Sequence, residues 1–159
     1  LSFLLDIKKF VVNVHNKSDA VVRRTVVGLA NSIIMRSPVG LPEGGGEGGV
    51  PPWKSKPPKG YSGGHFRANW QLGINSLPPG EIEGLDKTGE PTKARIQAGI
   101  PAKSAGKVYY IANNLDYAQV LENGRTDHSG SHQAPHGMVG LACVEFGGIV
   151  EQAVAGVNK

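Results

Sequence analysis

Three histidines at four-residue intervals, His128, His132 and His136, are the residues of this chain whose type and spacing most suggest chemistry. Asp127 stands beside the first. On a helix, that spacing would align the imidazoles on one face, as a zinc site needs. The run also contains Ser129, Gly130, Ser131 and Pro135, so it reads as a polar loop, where an interval of four carries no geometry. No Glu follows His128 in the place where a zinc peptidase keeps its general base. A metal-dependent hydrolase built on His128, His132 and His136 is therefore the alternative, and a plain loop is the preferred reading. Cys143 falls on the apolar stripe of a helix, where a small buried thiol is inert. There is no Gly-x-Ser-x-Gly elbow. The Gly-rich run at residues 43–49 lacks the Lys-Ser or Lys-Thr ending of a phosphate loop. Glu81, Glu83, Asp86 and Glu90 are scattered through a Gly/Pro stretch and read as solvated charge. The expectation is a protein that is not an enzyme and has no catalytic, metal or cofactor site.

Composition sets the frame for whatever positions these groups. A chain of 159 residues with 39% hydrophobic and 6% aromatic residues suits one domain with a mostly aliphatic core. Twenty-three Gly and 11 Pro point to long loops beside it. A net charge of +4 suits proximity to DNA as well as plain solubility. A small basic DNA-binding module is thus a further alternative, with base reading disfavoured. The single cysteine rules out an internal disulfide. Leu1 to Leu5 is apolar, but Asp6, Lys8 and Lys9 interrupt it, so it reads as neither signal peptide nor membrane span. The expectation is a soluble chain made in a cytoplasm.

Periodicity predicts the elements. Val22, Val26, Leu29 and Ile33 share a helix face, with Ser18-Asp19 as a start and Ser37-Pro38 as a stop. Phe3 to Val14 reads as a short strand or short helix, broken from the main helix at Asn13–Lys17. Residues 40–64 are too poor in apolar groups to join the core, and Trp53 and Tyr61 within them would need a partner surface. Phe66, Ala68, Trp70, Leu72 and Ile74 alternate with Arg67, Asn69, Gln71 and Asn75, as in a half-buried strand. Lys93–Ile100 and Lys107–Asn113 are candidate strands, and Asp116–Asn123 a short helix ended by Gly124. Val139, Cys143, Phe146, Val150, Ala153 and Val157 form the stripe of a closing helix from about His136. The fold class expected is α+β: a long N-terminal helix, an antiparallel sheet of three to four strands, and a C-terminal helix packed on the sheet.

Several of these segments resemble the neck and tail-completion proteins of tailed bacteriophages, the family of minor tail protein Z and its relatives. The matching residues are Ser37-Pro38-Val39 at the end of a helical N-terminus, then Arg67-Ala68-Asn69-Trp70. Tyr117-Ala118 with Leu121-Glu122 and Gly124 follows, and then Gln133-Ala134-Pro135 with Gly137-Met138-Val139. Each motif is weak alone; their order and spacing together are specific. The Asp-Thr-Gly turn that follows Ser-Pro-Val in the family is missing at that place, where residues 40–63 stand instead. Gly140 replaces the family's basic residue after Met-Val.

The resemblance implies a homo-oligomeric ring, hexameric by analogy, at the head–tail junction of a virion. It would contact tail terminator, tail tube and head-closure proteins and let DNA pass through its lumen, with no membrane involved. A tail terminator ring is the near alternative. Trp53, Tyr61, Arg67, Trp70, Tyr117, Glu122, Pro135 and Met138 are the residues expected at subunit or partner interfaces. Residues 40–64 are expected to reach a neighbour as an arm anchored by the two aromatics.

Overall fold

In the computed structural model, residues 2–40, 62–123 and 134–158 are described. Trp53, Tyr61, His128 and His132 lie outside them. The chain opens with one helix, α1, from Ser2 to Arg36. It is about 52 Å long at 1.5 Å per residue. The expected break at Asn13–Lys17 does not occur, because no Pro or Gly lies there to stop propagation. Ser18 and Asp19 do not start a helix either. Ser18 Oγ donates back to Val14 O (2.9 Å). The Asp19 carboxylate accepts from the backbone N–H groups of Ser104 and Ala105, each at 2.7 Å, and so anchors a distant loop. The stop at Ser37-Pro38 is as expected: Ser37 N and Oγ donate to Ile34 O and Ile33 O at 3.1 and 2.8 Å.

The segment expected to be one strand from Phe66 divides in two. His65–Ala68 is a helical turn, α2, and β1 runs from Trp70 to Ile74. Of the candidate strand Lys93–Ile100, residues 93–99 lie instead in helix α3, Glu90–Gly99, and Ile100 caps its end. Pro91 in the first turn suits a helix start, and the buried Thr92 and Ile96 recur at the helical interval of four. Strand β2, Tyr109–Asn113, pairs antiparallel with β1, with Trp70 opposite Asn113, Leu72 opposite Ile111 and Ile74 opposite Tyr109. Among the described residues the sheet has two strands, not three or four. Helix α4 spans Ala118–Asn123, and α5 spans Val139–Val157.

The α+β class is as expected, but α5 packs along α1, not on the sheet. A Cβ on Gly28 would stand 2.6 Å from Ile149 Cγ2, which shows how close the two axes come. The core joins Ala30, Ile33 and Ile34 of α1 to Phe66, Trp70, Ile96, Leu115, Ala134, Met138 and Ala142. Gly63 and Gly64, placed by the sequence in the excluded segment, are buried. Gly64 adopts φ 91° and a Cβ there would meet the Asp86 backbone at 2.9 Å, so only glycine fits. Its N–H donates to Val39 O and its carbonyl accepts from Asp86 N.

Candidate interaction surface

Of the six described residues expected at an interface, Arg67, Trp70 and Met138 are buried, Glu122 is half-buried, and Tyr117 and Pro135 are exposed. The Arg67 side chain lies almost wholly inside the molecule, a departure from the exposed role given to it. Its Nε and Nη2 donate to Ser37 O at 3.2 and 2.6 Å, Nη1 to Lys87 O at 2.8 Å, and Nη2 also to Met35 O at 3.4 Å. The end of α1 is thereby tied to the loop before α3. Burial lowers the guanidinium pKa, and the charge of nearby Asp86 opposes that. Trp70, also buried, donates Nε1–H to Ser37 Oγ at 2.6 Å and meets the Phe66 ring edge-on. Asn69 is fully buried; its Nδ2 donates to His65 O and Ile82 O, and its Oδ1 accepts from Ile82 N. The alternation in the sequence had set Arg67 and Asn69 on a solvent face. The helical turn at 65–68 changes the phase and turns both inward.

Asp86, read from sequence as solvated charge, is only 3% exposed. Its Oδ1 accepts from Thr88 N, Thr88 Oγ1 and Gly89 N, and its Oδ2 from Thr92 N. Burial raises its pKa, but the hydrogen bonds from Thr92, Gly89 and Thr88 outweigh this and leave it lowered. An Asp-x-Thr-Gly run ahead of Glu-Pro was the available signal: a carboxylate turn leading into a helix start.

Glu122 is a second organising carboxylate. At the end of α4 it accepts from Met138 N, Val139 N and Gly140 N at 2.8, 3.0 and 2.8 Å. These are orphan donors at the start of α5, so the side chain caps that helix from another element. Burial raises the Glu122 pKa, and the three N–H donors lower it by more. Gly137, at φ 73°, admits the carboxylate: a Cβ there would stand 2.5 Å from Glu122 Oε1. Met138 is buried, while Pro135 and His136 are exposed. Tyr117 is partly exposed and lies 6.0 Å from the Phe66 ring centre. Among the described residues no three His, Cys, Asp or Glu side chains gather as metal ligands would. Comparison with protein-family models, curated proteins and solved structures finds no match to this chain.

With Arg67, Trp70 and Met138 turned inward, the chain keeps two uncovered apolar surfaces. The first is the N-terminal part of α1. Leu4, Leu5, Ile7, Phe10, Val11, Val12 and Val14 are all exposed, Phe10 by 67%. The second is the outside of α5, where Val144 is 84% exposed and Phe146 and Val154 stand open to solvent. Cys143 is exposed as well, contrary to its expected place in the core. Ala142 and Ala153, not the whole Val139–Val157 stripe, are the buried positions of α5. By length and composition α5 could cross a membrane, yet it carries Glu145 and Glu151, and Glu145 forms an ion pair with Arg36. Between α1 and α5 runs an open groove of about 800 Å³ lined by Arg24, Gly28, Ser32, Arg36, Glu145 and Gln152. There Ser32 and Arg36 already satisfy the Glu145 carboxylate.

Proposed function

We propose that this chain is a structural virion protein of a tailed phage, a neck or tail-completion subunit at the head–tail junction. Copies assemble into a ring that joins the tail tube to the capsid connector and lets DNA pass. The observation that carries an assembly role is the division of labour among side chains. The polar residues of the motifs hold the fold together, and the surface left over is apolar and helical. Ser37 receives Trp70, and its carbonyl receives Arg67; Glu122 receives the backbone of Met138 and Val139. Residues far apart in the sequence that share a resemblance to one family thus meet in pairs, as parts of one frame would. Large uncovered apolar faces on a water-soluble domain mark places where another protein belongs.

The chain's excess of basic residues suits a lumen that meets DNA through phosphates, without base reading. Negative-stain imaging of phage particles made without this protein tests the role. Filled heads and finished tails that fail to join are expected. Tails of irregular length would assign the terminator role instead, and normal infectious virions would remove the proposal.

A further inference from the structure

The two uncovered helical faces differ from each other, and their chemistry is complementary. Lys17 of α1 donates to Asn158, just past the end of α5, and residues 4–16 ahead of it are all exposed. Residues 2–16 thus run beyond α5 as an arm of about 22 Å. Leu4, Ile7, Val11 and Val14 step by three, four and three along it, which sets them in one stripe with Phe10 at its edge. The same rhythm continued through Ser18, Val21 and Thr25 reaches Gly28 and Ser32. Those two residues face the chain's own α5, through Ile149 and Glu145. The arm thus extends the side of α1 that binds α5, past the point where α5 ends. A second helix, in line with α5, would complete it.

The outside of α5 offers such a helix. Gly140, Val144, Gly147, Glu151 and Val154 step by four, three, four and three, opposite the buried Ala142 and Ala153. Gly147 has open space where a Cβ would be, so a large side chain from a facing helix can approach the backbone closely. Charge selects the pairing. Lys8 and Lys9 outnumber Asp6 on the arm, whereas the outer face of α5 carries Glu151, and α5 has no Lys or Arg; Glu145 is already paired with Arg36. Arm against arm would set lysines against lysines, and α5 against α5 would set Glu151 near its own copy. Arm against α5 brings opposite charges together.

We infer that the arm of one subunit, residues 2–16, docks on the outer face of α5 of a second copy of this chain. Since the arm and the α5 face are different surfaces, the contact is head to tail. It propagates from copy to copy, and a rotation that closes yields a ring. The inference rests on the self-assembly reading above and specifies which surfaces meet.

Native mass spectrometry of the full chain tests it, using wild type, Val11→Asp, Val144→Asp and an equal mixture of the two variants. Wild type is expected to assemble beyond a dimer, and each variant alone to be a monomer. The mixture is expected to give a one-to-one dimer, because one variant keeps an intact α5 face and the other an intact arm. A Val144→Asp dimer beside a monomeric Val11→Asp would mean arm-to-arm pairing and overturn the inference. Wild type that assembles while the mixture stays monomeric would also overturn it, yet leave self-assembly standing. A wild type that is monomeric at every concentration would remove both.

Both substituted sites are exposed, so helix content by circular dichroism should match that of wild type diluted until its subunits separate. An independent readout uses the native Cys143, which borders the α5 face. Oxidation of Ile7→Cys should give a ladder of cross-linked oligomers, and a product that stops at the dimer would refute the head-to-tail contact. Flotation of the wild-type chain with phosphatidylcholine vesicles, in place of assembly, would assign the apolar faces to a lipid surface and overturn the inference.

Discussion

Arg67 places its guanidinium among the carbonyls of Met35, Ser37 and Lys87, with Asp86 close enough to act on it through charge. A planar fork can serve several acceptors at once; an ammonium on a flexible stem cannot reproduce that geometry. Arg67→Lys should therefore destabilise the fold by about 2–3 kcal/mol even though the charge is kept, since carbonyls lose partners in a buried setting. Thermal unfolding followed by circular dichroism measures this, and an unchanged melting temperature would contradict the buried role.

Glu122 carries a pH dependence of definite sign. Its carboxyl titrates below its ordinary value of 4.5 in the folded chain. The stability it contributes is present above the unfolded pKa and is lost as pH falls through the folded one. Glu122→Gln should cost about 1–2 kcal/mol at neutral pH, the scale of a lost helix cap. The variant should also lose less stability than wild type as pH falls below the ordinary carboxylate range. Asp86 has the same sign, so denaturant titrations over that fall in pH should show a residual slope in the variant.

At the scale of elements, the closest approach of α1 and α5 falls at Gly28. Gly28→Val would drive a branched side chain into Ile149, whose Cγ2 is 2.6 Å from the site of a new Cβ. Overpacking of this kind costs about 1–3 kcal/mol, and Ile149→Ala in the same chain should recover part of it. A double-mutant cycle by urea denaturation gives the coupling, and additive effects would mean that the helices do not meet there. This close crossing was not legible in the sequence. Gly28 sits in a helical pattern as a mere weak point, and only its partner on another helix gives it meaning.

Elsewhere the pattern was legible. The stop at Ser37-Pro38, the strand at Tyr109–Asn113 and the short helix ending at Asn123 follow from proline chemistry and local periodicity. Residues 93–100 misled because their short apolar rhythm fits either period. Thr92, Ile96 and Ile100, all buried, resolve it in favour of a helix. Arg67 and Asn69 misled for a related reason: a one-turn helix at 65–68 shifts the phase of an alternation that otherwise reads as a strand. Glu122 was picked out as a contact residue, and the structure directs that contact to the next helix of the same chain.

For the whole molecule, the arm poses an energetic question. Its residues 2–16 are exposed from Leu4 onward, and Val11, Val12 and Val14 are poor helix formers outside a packed setting. A helical segment of that length is marginal in water unless it is packed against something. Its continuity with residues 18–36, which are pinned by Asp19 and by α5, extends helicity into it. The arm should accordingly be helical in an assembly and fray in an isolated subunit. Amide hydrogen exchange at two concentrations separates these states. Protection of residues 20–36 should persist on dilution, while that of residues 4–16 should fall by at least about tenfold as subunits separate. Equal protection of the arm at both concentrations would mean that the chain stabilises it alone, and the uncovered stripe of Leu4, Ile7, Val11 and Val14 would then need no second copy. A loss confined to the arm and the exposed face of α5 would instead identify the two surfaces that order each other.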